Sequence, residues 1–367
     1  MASRRVWAAG ALIVGLAACA PAASRSEAEV LTAPLTRLGV PPADYFGAAW
    51  ITSRSIVVAW RPPSDDVSNA AHLVSIDPGA SSHSVLPFAE SDDECWRAQE
   101  VRPVRLPDTR LGFIRECQPR EFEGIDYSID WLRVWAADLQ TGKRELLADL
   151  GDPSVYDGGR ILYSFSYRPG LTEGVAYLGT RICDGVALFD SAGVRPFDFR
   201  IGQGADAPNL NEPFEQQCQD TINASDSVWS PDGARIAVLV STQAKGRDGF
   251  DRLDLDWDLL VLDPSTGRYD RLLSGLRDPH SVAWSPDGRW IAVGETEDET
   301  RSTTWLVRAG GQPSTKRLDI SERVTSLAWS PGSDALFGLV DPTPSGDPAD
   351  FAMQPVTFDL SILGSEP

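Results

Sequence analysis

Short apolar runs separated by tight-turn sequences dominate the C-terminal half of the chain. The clearest pattern occurs three times, as WSPDGARIAV at 229–238, WSPDGRWIAV at 284–293 and the partial copy WSPGSDAL at 329–336. In each copy an apolar run precedes the turn and a second one follows it. Proline presets φ for a turn, while Asp-Gly supplies a side-chain acceptor and a residue that tolerates positive φ. Each copy therefore predicts a β-hairpin.

Weaker copies extend the pattern towards the N-terminus. Aromatic or basic residues stand before similar turns at Trp50, Arg105 and Tyr167, so the six anchor positions are 50, 105, 167, 229, 284 and 329. Each interval has room for four short strands. Regular repeats of this length predict an all-β fold, a six-bladed β-propeller with four-stranded blades. Five or seven blades remain alternatives.

The Trp-Ser-Pro-Asp-Gly-x-x-Ile-Ala motif resembles the WD40-like propeller repeat of TolB-type proteins and of prolyl-oligopeptidase-like enzymes. The TolB resemblance implies an interaction hub in a cell-envelope complex. An enzyme of the second kind needs a hydrolase domain with a Gly-x-Ser-x-Gly elbow, and the sequence contains no such elbow. We therefore expect a non-enzymatic protein.

The N-terminus has the pattern of an export signal. Arg4 and Arg5 precede a short apolar run that ends in Leu-Ala-Ala-Cys at 16–19, and the run is too short to span a membrane. This ending resembles the bacterial lipobox, which implies that residues 1–18 are a signal peptide and that Cys19 carries a lipid. An ordinary secretory signal is the alternative, and the Arg-Arg pair is also weakly similar to a twin-arginine motif.

The remaining chain divides into a tether and the propeller. Residues 19–40 are predicted to be a lipidated tether with a candidate closing strand, and residues 41–362 the β-propeller. A propeller ring closes when one end of the chain adds a strand to the blade at the other end. We expect residues 29–35 to pair with residues 355–360.

The charge balance narrows the range of partners. Acidic residues outnumber basic ones 53 to 33, for a formal charge of −20. Nucleic acid is excluded, because phosphate binding needs a basic surface. The sequence predicts a monomer with a membrane contact through the lipid and an envelope protein as partner.

Four cysteines follow the lipobox, and an even count outside the cytoplasm favours two disulfides with three possible pairings. In the propeller frame Cys117 and Cys183 follow second strands, whereas Cys95 and Cys218 precede first strands. Both kinds of loop lie on one face of a propeller. The frame therefore favours Cys95–Cys117 and Cys183–Cys218.

Candidate channel residues lie at the start of the first strands, which line the axis of a propeller. His280 precedes one such strand, and its equivalents in the neighbouring copies are Ser225 and Thr325. Asp226 and Ser281 come next, so these five residues are predicted to lie at the channel mouth. Capping of a turn is the favoured role for His280. We expect no metal site and no cofactor.

These observations predict a lipid-anchored, extracytoplasmic propeller that binds a protein or another ligand in the cell envelope. The alternative is a propeller hydrolase or lactonase with a metal site in the channel mouth.

Overall fold

The computed structural model describes sixteen parts of the chain: residues 25, 28–40, 43–61, 70–80, 82–86, 97–118, 131–151, 161–179, 184–202, 210, 223–241, 255–297, 301–311, 314–320, 322–341 and 353–365. No helix in these parts is long and apolar enough to cross a membrane. The signal peptide and Cys19 lie outside them.

The described chain forms short strands and one 3₁₀-helix at Ser361–Ser365. The strands in chain order are β1 (Glu29–Leu31), β2 (Leu35–Arg37), β3 (Asp44–Thr52), β4 (Ser55–Arg61), β5 (His72–Asp77), β6 (Ser82–Val85), β7 (Arg97–Arg105), β8 (Leu111–Gln118), β9 (Trp131–Ala137), β10 (Arg144–Asp149), β11 (Ile161–Tyr167), β12 (Gly174–Gly179), β13 (Asp184–Asp190), β14 (Gly193–Pro196), β15 (Asn223–Trp229), β16 (Ile236–Ser241), β17 (Trp257–Asp263), β18 (Arg268–Leu276), β19 (Pro279–Trp284), β20 (Trp290–Thr296), β21 (Ser302–Arg308), β22 (Thr315–Leu318), β23 (Arg323–Trp329), β24 (Ala335–Asp341) and β25 (Gln354–Asp359).

Six sheets form a closed ring of blades. Blades 1 to 4 are β3–β6, β7–β10, β11–β14 and β15–β18, each with its strands in sequence order. Blade 5 contains β19–β22, and blade 6 contains β23–β25. The first strands of consecutive blades contact one another around the ring, including β23 with β3. The all-β, six-bladed fold is confirmed, and five or seven blades are excluded.

The N-terminal segment completes two blades. β2 pairs antiparallel with β25, with Leu35 opposite Phe358, and so becomes the outer strand of blade 6. β1 pairs parallel with β22 and gives blade 5 a fifth strand. Ring closure thus uses residues 35–37, of which only Leu35 belongs to the expected segment 29–35. Residues 29–31 pair with blade 5 instead.

A buried ion pair holds the start of this segment. Arg25 donates to both carboxylate oxygens of Glu295 at 2.8 and 2.7 Å, and Glu295 is 1% exposed. The guanidinium also lies 4.9 Å from the ring centre of Trp305, whose indole N–H donates to the same carboxylate at 2.5 Å. Because this carboxylate is buried, removing Arg25 would leave a costly charge.

The repeated motif forms a serine-centred turn. The Ser230 hydroxyl donates to Asp232 at 2.5 Å and accepts the backbone N–H of Arg235 at 2.9 Å. The serine at 285 makes the same two bonds in blade 5, at 2.6 and 2.9 Å. The glycine of each turn has positive φ, 69° at Gly233 and 75° at 288. The motif therefore joins the first two strands of a blade.

The partial copy in blade 6 keeps this geometry with different residues. Ser333 replaces the turn glycine and adopts φ 60°. Asp334 replaces the motif aspartate and accepts the Ser330 hydroxyl at 2.6 Å. The hydroxyl of Ser333 in turn accepts the backbone N–H of Asp287 at 3.1 Å, which links the turns of blades 5 and 6.

The hydrophobic core lies between the blades. Trp229 packs among residues of blades 3 and 4, and Trp284 among residues of blades 4 and 5. Trp329 lies between blades 5 and 6, where its indole N–H donates to the Ala283 carbonyl at 3.0 Å. The tryptophans of the motif are thus wedges between neighbouring blades.

Cys117 is fully buried on β8 and takes part in a disulfide. The four other cysteines lie outside the described residues, so the pairings Cys95–Cys117 and Cys183–Cys218 stay predictions.

Candidate functional site

Every first strand has a register shift at the same level of the channel. The shifts fall at Tyr45/Ala48, Val101/Val104, Leu162/Ser164, Ala224/Ser227, Pro279/Ser281 and Thr325/Ala328. A β-bulge bends its strand and redirects a side chain. The six shifts therefore form a ring of irregular backbone around the axis.

The residue three positions before each anchor lies at this level. We call the set the channel collar; its members are Gly47, Arg102, Ser164, Asp226, Ser281 and Ser326. All six line an axial cavity of about 770 Å³, which is lined by residues from every first strand. Pockets of this size hold small ligands.

Asp226 connects three blades at the collar. Its Oδ1 accepts a hydrogen bond from the Ser164 hydroxyl in blade 3. The same oxygen accepts the backbone N–H of Ser227 at 2.8 Å. Its Oδ2 accepts the N–H of Val282 in blade 5 at 2.7 Å. Burial raises the pKa of Asp226 to about 6, although these hydrogen bonds and the charge of Arg102 act in the opposite direction. The carboxyl group is thus a blade-to-blade link that titrates near neutral pH.

Ser281 repeats this role in the next blade. Its hydroxyl accepts the N–H of Leu327 in blade 6 at 3.1 Å. The same collar position therefore joins blade 4 to blade 5 and blade 5 to blade 6.

Two collar residues have strained backbone. Arg102 has φ 53° and Ser326 has φ 55°, a conformation that costs energy for residues other than glycine. Gly47 has φ 111°, and a Cβ there would lie 3.3 Å from the Cα of Arg102. Glycine thus allows blades 1 and 2 to approach closely beside the strained arginine.

The anchor residues line the turn side of the same cavity. Five are aromatic and buried, namely Trp50, Tyr167, Trp229, Trp284 and Trp329. The sixth anchor is Arg105 in blade 2. The cavity thus combines a polar collar with apolar walls.

His280 forms a contact between blades 5 and 6. Its Nε2 lies 2.8 Å from the Val324 carbonyl of blade 6 and donates to it, while Nδ1 lies 3.4 Å from the Thr296 hydroxyl. The ring covers Gly294, where a Cβ would lie 2.6 Å from Nε2. Burial lowers the pKa of His280 below its usual value, which favours the neutral ring. A hydrogen bond with the Asp278 backbone also acts on the ring, so the expected capping role stays a prediction.

The five predicted channel residues have three different outcomes. Asp226, His280 and Ser281 line the cavity. Thr325 lies outside the set of lining residues and pairs with Leu339 of β24. The side chain of Ser225 lies outside the described part of the chain.

Sequence reasoning missed Arg102, Ser164 and Ser326. The repeat contains the signal for all three, because each stands three residues before an anchor, as Asp226 does. A polar residue at one fixed offset in several blades indicates a ring on the axis.

The described residues contain no group of three or more histidine, cysteine, aspartate or glutamate side chains that could hold a metal ion.

No family model matches the sequence. One curated relative, the uncharacterized peptidase YuxL of Bacillus subtilis (strain 168), is 23% identical over 119 residues, which are 32% of this chain and 17% of YuxL. The match therefore spans about a sixth of that protein.

Solved structures share the fold at low identity. The alpha-L-arabinanase of Penicillium chrysogenum complexed with arabinobiose has a TM-score of 0.54 and 10% identity, over 90% of this chain and 99% of that one. The calcium-binding protein regucalcin from Agrobacterium tumefaciens str. C58 has a TM-score of 0.53 and 13% identity, over 91% and 96%. TolB from Acinetobacter baumannii has a TM-score of 0.43 and 15% identity, over 89% and 63%. The propeller fold that the TolB resemblance implies is confirmed by the six sheets themselves.

These comparisons correct the expectation of a non-enzymatic protein, which is wrong. It followed from the lack of a catalytic motif, yet an arabinanase has this fold and the curated relative is called a peptidase. Catalytic activity in a propeller depends on the residues of a particular site rather than on the fold.

Proposed function

We propose that this chain is an exported β-propeller, held at a membrane by a lipid on Cys19, whose axial channel binds a ligand or a segment of a partner protein in the cell envelope. The observation that carries the proposal is the cavity of about 770 Å³ with its polar collar. Export and anchoring are supported by the Leu-Ala-Ala-Cys sequence at 16–19. Localised strain, bulges and buried polar groups are typical of functional sites.

The channel is tested by narrowing it. Ala283 lines the cavity, so Ala283→Trp should obstruct it. Ala80 lies in an exposed turn of blade 1, so Ala80→Trp is the matched control. The wild type and both variants would be immobilised and exposed to solubilised envelope, and retained proteins and small molecules would be quantified by mass spectrometry.

We expect the wild type and Ala80→Trp to retain the same species and Ala283→Trp to lose it by about tenfold or more. Equal retention by all three chains would contradict binding in the channel. Anchoring is tested separately with Cys19→Ala, which should move the protein from the membrane fraction to the soluble fraction.

A second candidate function is catalysis at the collar. Asp226 lines the cavity beside the Ser164 hydroxyl, and its raised pKa of about 6 suits a group that exchanges protons near neutral pH. The hydrolase or lactonase alternative therefore uses the same cavity. A panel of lactone and glycoside substrates tests it: activity that depends on Asp226 should show an apparent pKa near 6 and be lost in Asp226→Asn.

A further inference from the structure

One anchor position breaks the aromatic pattern of the ring. Blades 1, 3, 4, 5 and 6 place tryptophan or tyrosine at or near the end of the first strand, whereas blade 2 places Arg105 there. All six positions line the axial cavity. A local departure from an otherwise uniform repeat is expected at functional sites rather than in the supporting scaffold.

The guanidinium of Arg105 is not compensated by the protein. Its Nε is buried and has no hydrogen-bond partner, and no carboxylate of the described residues forms an ion pair with it. The side chain is partly buried, and this burial lowers its pKa. A buried donor on a charged group is costly without an acceptor.

Nearby acids on the same blade are already engaged. Arg110 donates to Asp108 at 2.7 Å and to Glu145 at 2.7 Å. These carboxylates therefore pair with Arg110, which does not line the cavity. Arg105 lines the cavity and has no such partner among the described residues.

The other charged groups of the cavity have opposing charges or contacts of their own. Arg102 acts electrostatically on Asp226 and on Glu116. Asp226 accepts hydrogen bonds from Ser164, Ser227 and Val282. Asp278 also has partners. Arg105 is thus the one uncompensated cation among the described lining residues, and it matches a single negative charge.

We propose that the channel binds a ligand with a carboxylate group, which pairs with Arg105 while an apolar body lies against the aromatic and proline residues of the cavity wall. The planar guanidinium is suited to a two-oxygen acceptor. A carboxylate is favoured over a phosphate because one cation balances one charge and the surrounding protein is strongly acidic. This inference rests on the channel being the binding site.

The test uses 3-phenylpropionate as the probe and 3-phenylpropionamide as its neutral counterpart. Binding to the full chain would be measured by isothermal titration calorimetry at low ionic strength. Arg105→Gln removes the charge, and Arg110→Gln is the control that removes an already paired arginine from the same blade.

We expect the acid to bind at least about tenfold more tightly than the amide, because the neutral amide cannot form the charge-assisted pair with Arg105. Arg105→Gln should abolish that preference, and Arg110→Gln should retain it. Equal affinities for acid and amide, no binding of the acid, or an unchanged preference in Arg105→Gln would overturn the inference. Inorganic phosphate is a competitor in the same experiment. A lower dissociation constant for phosphate than for the acid would also overturn the inference.

A second measurement requires no ligand. Arg105→Trp restores the aromatic residue of the other blades and should raise the melting temperature by roughly 2–4 °C. A lower melting temperature would show that Arg105 is a structural residue and would overturn the inference. Either failure would leave the capture experiment with Ala283→Trp unaffected, so the two proposals can fail separately.

Discussion

The serine of the repeated motif has two bonding functions at once. At Ser285 the hydroxyl donates to Asp287 and accepts the N–H of Trp290, and the side chain is fully buried. Alanine would leave a buried N–H without its acceptor, which costs more than the hydrogen bond contributes. The serine therefore determines the geometry of the turn, and the aspartate fixes the orientation of the hydroxyl.

We predict that Ser285→Ala lowers the free energy of unfolding by about 1–2 kcal/mol, measured by urea denaturation. The matched control is Ser265→Ala in the exposed turn between β17 and β18, where the hydroxyl donates to Asp263 at 2.6 Å. We expect the control to change stability by less than about 0.5 kcal/mol. Equal losses in the two variants would contradict the role assigned to the motif serine.

The Asp226 link predicts a pH-dependent stability difference. Asp226→Ala leaves the N–H groups of Ser227 and Val282 without their acceptor, so we expect a loss of about 2–4 kcal/mol. The pKa of Asp226 in the folded protein, about 6, is above its usual value of 3.8. The folded state therefore binds the proton more tightly, and the contribution of Asp226 to stability falls as the pH rises from about 4 to about 6.

The loss caused by Asp226→Ala should consequently be larger at pH 4.5 than at pH 7. Urea denaturation of both proteins at the two pH values measures it. A loss that is larger at pH 7 would mean that the carboxylate is stabilised in its charged form.

The repeat allowed residue positions to be predicted where it aligned the residues, whereas their role in binding stays a prediction. Asp226, His280 and Ser281 line the cavity because their offset from a clear anchor fixed their position. The partner of His280 was not predictable, since Val324 belongs to the next blade and no local pattern reports a contact between blades. Arg105 was recognised as an anchor, but its lack of a counter-charge is visible only in three dimensions.

At the scale of elements, the N-terminal segment joins blades 5 and 6. β1 and β2 occupy the outer edges of two adjacent sheets, and Leu38, next to β2, is 1% exposed. Arg25 adds a buried ion pair at the start of the segment. These contacts connect the two ends of the propeller sequence.

We predict that a chain starting at residue 39 melts more than about 5 °C below a chain starting at residue 24, because it loses two strands and leaves Glu295 without its cation. Differential scanning calorimetry at equal concentration measures the shift. The chain from residue 24 controls for the loss of residues 1–23. Equal melting temperatures would mean that the ring is stable without the added strands.

The elements were predicted unevenly. All six anchors lie in the first strand of a blade, because turn chemistry is local and repeats along the chain. The closing strand was placed correctly in blade 6 only at its end, Leu35. The parallel pairing of β1 with β22 was not predictable, since two edges compete for the same short apolar segment and the sequence does not show which is nearer.

At the scale of the whole molecule, we expect the ring to be least stable where the repeat is least regular. Blades 4 to 6 have serine-centred turns, and collar links join blades 3 to 6 through Asp226 and Ser281. Blades 1 and 2 meet beside strained backbone at Arg102. Covalent bracing would therefore contribute most in the N-terminal half of the ring.

The predicted disulfides act at this scale. If Cys95 pairs with Cys117, the single variants Cys95→Ser and Cys117→Ser and the double variant should lose equal stability, about 2–4 kcal/mol, because each removes the same bond. Cys183→Ser and Cys218→Ser should behave likewise as a second pair. Urea denaturation under oxidising conditions measures the losses, and peptide mapping without reduction identifies the bonded cysteines. Peptides linking 95 to 183 or to 218 would contradict the pairing.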